Sequence, residues 1–85
     1  MKIRPSLAIF RNEKILLLRY LYPSGEVFCI PGGGVEEGET IKATLHREFQ
    51  EELSVRVRIE GLCLVYEAKP QGPLCQTLHL VFHGH

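Results

Sequence analysis

Between Val27 and Val55 the chain writes a short apolar strand, a proline–glycine turn and an amphipathic helix in succession. Val27 to Ile30 reads as a strand running into Pro31-Gly32-Gly33-Gly34. Proline fixes one φ, and the three glycines allow close approaches that a Cβ would block. Gly38 closes a second turn. Thr40 then reads as an N-cap, and Glu36, Glu37 and Glu39 suit the start of a helix. Ile41, Leu45, Phe49 and Leu53 recur at i+4, an apolar stripe that needs a sheet to cover. The predicted class is therefore α/β (α+β), with a sheet packed against one helix.

The same helix stacks Glu48, Glu51 and Glu52 on one surface, off the apolar stripe. At about 100° per residue the three carboxylates share roughly 100° of arc. Like charges at these spacings repel, and they sit in the last turns, where the helix dipole disfavours anions. A multivalent cation would remove both objections, so the cluster reads as a metal site for phosphate chemistry.

On either side of this unit the pattern is strand-like. Ser6 to Phe10 and Lys14 to Tyr20 are apolar runs divided by Arg11-Asn12-Glu13, a predicted β-hairpin. Leu21 to Glu26, with Pro23-Ser24-Gly25, reads as a loop. Val55 to Ala68 reads as a long strand bent at Gly61. Lys69 to Pro73 reads as a loop and Gln76 to Phe82 as a last strand. Period-two alternation there groups His79, Val81 and His83 on a solvent face. One helix covers one face of such a sheet, and the other face is expected to stay bare.

Eighty-five residues permit one small domain, residues 1–85. A chain this short buries only about 60–65% of its unfolded surface, so its core is marginal. Formal net charge is zero, which removes any bulk pull toward long nucleic acid or a membrane surface. The longest apolar run, Ile15 to Leu18, is too short to span a bilayer, and the N-terminus lacks a signal-peptide core. Cytoplasmic residence is the expectation. Cys29, Cys63 and Cys75 show no C-x-x-C spacing and read as reduced, partly buried thiols.

Set out by spacing, the central segment is Gly33, five residues, Glu39, seven residues, then Arg47-Glu48-Phe49-Gln50-Glu51-Glu52-Leu53-Ser54-Val55. This resembles the Nudix box, G-x5-E-x7-R-E-U-x-E-E-x-G-U, of the Nudix (MutT-like) hydrolases, with U a bulky apolar residue. Phe49 fits U loosely. Ser54 is the misfit, standing where the family has glycine; a non-glycine residue in the left-handed region just past a helix end costs about 1 kcal/mol. Phe28-Cys29-Ile30-Pro31-Gly32-Gly33-Gly34 is similar to the family's strand-to-loop entry. Chance placement of five charges and a glycine is far rarer than a solvated acidic face, which remains the reading for Glu36 and Glu37.

The resemblance implies a Nudix-like mixed sheet against the box helix, in a short or C-terminally truncated member that lacks the family's further strand and helix. It implies Mg²⁺-dependent hydrolysis of the diphosphate linkage of a small nucleoside diphosphate derivative, with Mn²⁺ as an alternative ion. The implied ligands are the Glu48, Glu51 and Glu52 side chains and the Gly33 carbonyl. In some members the residue matching Glu48 serves as base or hydrogen-bond support, and many place a general base or further ligand outside the box. Arg47 and Glu39 look like an ion pair holding the loop to the helix, while Arg47 and Glu51 at i,i+4 are in the weaker orientation.

The competing expectation is a catalytically inactive nucleotide-binding module, or a fragment inactive for want of its missing end. A bare sheet face also predicts a homodimer. Arg4, Arg19 and Lys14 read as surface charges that could meet phosphates. Tyr20 and Tyr22 could stack on a base, Phe28 reads as core, and His46 as exposed.

Overall fold

The computed structural model describes residues 1–70 and 76–85. Its elements are β1 (Lys2–Arg11), β2 (Lys14–Ile15), β3 (Leu18–Tyr22), β4 (Gly25–Cys29), α1 (Ile41–Leu53), β5 (Ile59–Ala68) and β6 (Thr77–Gly84). One sheet runs β2-β1-β6-β5, and β3 and β4 form a separate two-stranded sheet. β1 and β6 are parallel and the other pairs antiparallel, so the main sheet is mixed, as expected.

The predicted first hairpin forms, but Lys14 to Tyr20 is not one strand. Only Phe10↔Ile15 and Arg11↔Lys14 pair across the turn. Asn12 and Glu13 both take positive φ, 53° and 62°, the backbone that a two-residue hairpin turn with right-handed twist requires. The chain then leaves β1 at Leu16-Leu17, and Leu18 opens a new strand paired to β4. The uniformly apolar run Ile15-Leu16-Leu17-Leu18 contains no polar residue to mark that break.

A third partner lies along β1. The amides of Leu7, Gly33 and Val35 bond the carbonyls of Pro31, Pro5 and Ile3, and Ser6 bridges to Gly32. The glycine turn is thus laid antiparallel against β1 before the helix begins. A Cβ on Gly32 would collide with the Pro5 carbonyl and the Ser6 backbone, which is why this residue has no side chain.

The helix runs as the stripe predicts, with the Thr40 hydroxyl accepting from the Ala43 amide at 3.1 Å. Leu45 and Phe49 are buried against Leu7 (0%, 1% and 0% exposed), and Ile9, Leu53, Val57, Ile59 and Phe82 ring this core. Burying side chains of this size contributes about 1.5–3 kcal/mol each. Ser54 ends the helix in the left-handed region, φ 54° and ψ 38°, its amide bonding the Gln50 carbonyl. The serine occupies the conformation that glycine adopts without a Cβ penalty. Ser54→Gly should therefore raise stability by about 1 kcal/mol, read as a higher urea midpoint at constant m-value. An unchanged or lower midpoint would show that the strain is offset elsewhere.

Four expectations are corrected. Leu21, Tyr22, Gly25 and Glu26, expected in a loop, pair across β3 and β4, leaving Pro23-Ser24 as the turn. Residues 55–58 precede β5 rather than opening it, although Gly61 does mark an irregularity in the β5–β6 register. Val81 is buried, and His79 is half-buried, stacked on Tyr66 at 4.5 Å, so the predicted solvent face of the last strand is partly covered. Phe28 is 56% exposed, not core, because it lies in the β3–β4 hairpin, which stands apart from the main sheet. Cys29 is half-buried and Cys63 exposed; Cys75 and part of the predicted Lys69 to Pro73 loop lie outside the described residues. Among the described residues no helix is long and apolar enough to cross a membrane. Large apolar side chains on β5, namely Leu62, Leu64, Val65 and Tyr66, stay about half exposed.

Candidate active site

Arg47 is the centre of the site. It projects from α1 toward the loop that joins the glycine turn to the helix. Its Nε donates to Glu39 Oε2 at 2.6 Å and its Nη2 to Glu39 Oε1 at 3.1 Å. This two-point grip is the strong geometry for a guanidinium and a carboxylate. Nη2 also donates to the Gly34 carbonyl at 3.2 Å, and Nη1 to Glu48 Oε1 at 2.9 Å and Glu51 Oε2 at 3.4 Å. Glu36 stands 3.7 Å away, so it is not the purely solvated charge the sequence suggested; Glu37 is exposed.

Glu39 is held from two further directions. The Glu36 amide donates to its Oε1 at 3.0 Å. The Thr44 hydroxyl, wholly buried, lies 2.7 Å from the same oxygen and 3.0 Å from the Thr40 carbonyl. A hydroxyl has one proton, and the shorter, charge-assisted contact takes it. Arg47 first, then the Glu36 amide and Thr44, hold the Glu39 carboxyl far below the usual carboxylate range, at about 2. The hydrogen bonds to Glu39 first, then that to Glu48 and the Glu36 charge, push Arg47 further up.

A group whose folded pKa is depressed stabilises the fold above its unfolded pKa, and that contribution fades as pH falls to the folded value. For Glu39 the window runs from about 4.5 down to about 2. Thermal melts at pH 7, 4, 3 and 2 should show the wild type losing more of its melting temperature across that window than Glu39→Gln does. Parallel curves would remove Glu39 from the acid response.

The remaining candidates fall into two groups. Glu48 lies under the glycine turn, its carboxylate in the space a Gly33 Cβ would fill. Glu51 points outward and is exposed. Glu52 is not part of the Arg47 cluster: its carboxylate accepts from the Tyr20 hydroxyl, 3.2 Å from Oε2. Partial burial, then the Glu52 charge, raise the Tyr20 phenol. Among the described residues no three His, Cys, Asp or Glu side chains converge on a common point. The reading of the three carboxylates as uncompensated is corrected, since Arg47 relieves Glu48 and Glu51. The weaker i,i+4 orientation of Arg47 and Glu51 does not prevent the contact.

The donors available here are oxygens only, three carboxylates and the Gly33 carbonyl. Hard divalent cations such as Mg²⁺ take such ligands while keeping some water. Gly33 is where a Cβ would fill the cradle beside Glu48. On donor chemistry the residues fit that ion.

Several participants had no sequence signal of their own. Tyr20 reaches Glu52 across 32 positions. Thr44 reads as one more residue on the stripe side of the helix. Arg4, expected as a surface charge, is half-buried and donates to the Ile30 carbonyl at 3.2 Å. Arg19 and Lys14 are exposed, Arg19 facing Glu26 at 3.8 Å. His46 is exposed as expected. A groove of about 620 Å³ opens among β1, β2 and residues 55–57, lined by Ile9, Ile15, Val55 and Val57 among others. It contains no residue of the Arg47 cluster.

The chain is similar to known proteins over most of its length. The chain is 35% identical over 75 residues to an ADP-ribose pyrophosphatase of Methanocaldococcus jannaschii, covering 87% of this chain and 44% of that protein. It is 38% identical over 75 residues to an NAD-capped RNA hydrolase, NudC, of Pectobacterium carotovorum, covering 88% and 27%. A MutT NUDIX hydrolase structure from Burkholderia pseudomallei superposes with a TM-score of 0.84 at 26% identity, over 99% of this chain and 66% of that one. A NUDIX hydrolase from Nitrosomonas europaea gives 0.85 at 24% identity, over 98% and 57%. The chain thus spans less than half the length of these curated relatives. The NUDIX domain profile matches residues 2–83, and with the Arg47–Glu39 clamp seated on the glycine turn, the chain belongs to the Nudix family.

Proposed function

We propose that this chain hydrolyses the diphosphate linkage of a small nucleoside diphosphate derivative in the cytoplasm, with Mg²⁺ as its cofactor and Mn²⁺ as a substitute. The observation that carries the reading is the clamp of Arg47 on Glu39 and the Gly34 carbonyl, which seats the glycine turn beside Glu48. Water adds to one phosphorus, the bridging P–O bond breaks, and two phosphate monoesters leave. Glu48, Glu51, Glu52 and the Gly33 carbonyl would hold the metal. When bound, Mg²⁺ neutralises charge on the diphosphate and polarises an attacking water.

The chain's own residues do the positioning. Glu39 fixes the guanidinium of Arg47, and Arg47 in turn holds the Glu48 carboxylate beside the glycine turn. Glu51 and Glu52 present charge that solvent reaches, so a polyanionic substrate is approached only with its counter-ion. Two of the relatives are named for ADP-ribose and for NAD-capped RNA. ADP-ribose and NAD share an adenosine diphosphate unit, which makes ADP-ribose and free NAD the first substrates to try. The test is release of the nucleoside monophosphate from a panel of nucleoside diphosphate derivatives in millimolar Mg²⁺. Turnover of at least one member that stops with chelator is the expected result. No turnover of any member by protein that binds Mn²⁺ favours the alternative, a nucleotide-binding module without catalysis.

The half-exposed Leu62, Leu64, Val65 and Tyr66 lie on β5, the edge of the main sheet. An apolar edge strand invites pairing with another copy. A homodimer through β5 is part of this proposal, and size-exclusion chromatography with light scattering at micromolar concentration should give twice the chain mass. A monomer mass would remove it.

A further inference from the structure

Glu52 stands outside the Arg47 cluster, and among the described residues its one side-chain partner is Tyr20. That tyrosine comes from β3, in the hairpin that shares no sheet with the rest of the fold. Its hydroxyl lies 3.2 Å from Oε2 and 3.5 Å from Oε1 of Glu52. A phenol has one proton to donate, and the nearer oxygen takes it. The lone pairs of Oε1 are left free. An exposed carboxylate in the last turn of a helix otherwise samples several rotamers, and a ligand that must be ordered by the ion itself binds it less tightly. A tyrosine supplies a stiff arm with only two side-chain torsions, and its ring is half-buried while Tyr22 is exposed.

We propose that Tyr20 is a positioning residue, holding one oxygen of Glu52 so that the other is presented to the divalent cation. The inference rests on the assignment of Glu52 as a metal ligand above. It also gives the β3–β4 hairpin a role: the hairpin touches the metal-binding helix through this hydroxyl. Partners that orient a ligand in this way typically set metal affinity by about 10–100-fold.

The test uses Mn²⁺ alone as probe, with free Mn²⁺ followed by its electron paramagnetic resonance signal, and needs no substrate. Tyr20→Phe removes only the hydroxyl and keeps the ring. It should weaken Mn²⁺ binding about tenfold while the far-UV circular dichroism and the metal-free melting temperature stay at wild-type values. Tyr22→Phe, whose ring stacks on Tyr20 at 6.4 Å, should leave the affinity unchanged. Tyr20→Phe within twofold of wild type, with or without a lower metal-free melting temperature, would overturn the inference and leave a structural contact. Glu52→Gln separates the two levels of the argument. Wild-type Mn²⁺ affinity in that variant defeats the metal assignment itself, whereas weakened binding there beside a normal Tyr20→Phe defeats only the role of Tyr20.

Discussion

Glu52→Gln is expected to lower the rate of diphosphate hydrolysis by about 10³-fold or more, the loss that follows when several kcal/mol of transition-state charge stabilisation disappears. The fold should not suffer. Glu52 is exposed and belongs to the last turn of α1, where a negative charge opposes the helix dipole. The amide is nearly isosteric and still accepts the Tyr20 hydroxyl. Metal-free protein should therefore melt at or slightly above the wild-type temperature. Millimolar Mg²⁺ should raise the melting temperature of the wild type, because an ion that binds only the folded state stabilises it by roughly 2–3 kcal/mol at a hundredfold excess over Kd. In a domain of this size each 1 kcal/mol moves the midpoint by about 4–8 °C. The variant should lose most of that shift together with its turnover. Turnover within tenfold of wild type, or an undiminished Mg²⁺ shift, contradicts the assignment.

The parts of this site that sequence pattern located are those set by local spacing. The helix follows from Thr40 as cap and the Ile41, Leu45, Phe49, Leu53 row. The stop at Ser54 follows from the position where glycine was expected. Glu39 and Arg47 meet because the box places one just ahead of the Thr40 cap and the other less than two turns into the helix, within reach of its long side chain. What the pattern could not locate depends on distant strands. Tyr20 and Glu52 meet only because the hairpin folds toward the end of α1, and nothing in LRYLYPSGEVFC encodes that approach. The exposure of Phe28 has the same origin. Its strand is apolar enough for a core, yet the hairpin pairs only with itself. The electrostatic misreading is different in kind. Counting carboxylates along a helix face treats them as alone, whereas Arg47 has enough donors to serve Glu39, Glu48 and Glu51 at once.

Two adjacent glycines should fail in opposite ways when each is changed to alanine. A Cβ at Gly32 meets the Pro5 carbonyl and, at 2.7 Å, the Ser6 Cα. These are backbone atoms of β1, in the middle of the sheet, and they cannot move without opening the bridge to the glycine turn. Gly32→Ala should cost about 1–3 kcal/mol, a large share of the stability of so small a domain, and its urea midpoint should fall accordingly. A Cβ at Gly33 meets instead the carboxylate of Glu48, the far end of a flexible side chain. That carboxylate can swing aside by rotation about its own torsions, so Gly33→Ala should melt close to wild type. The swing takes Glu48 off Arg47 and out of the cradle, and misplacement of about 1 Å in a reacting group can cost about 10²-fold in rate. Gly33→Ala should thus be a folded protein with about 1% of wild-type turnover and weakened Mn²⁺ binding. Full turnover in folded Gly33→Ala would mean that the chemistry does not need Glu48 where the glycine turn holds it.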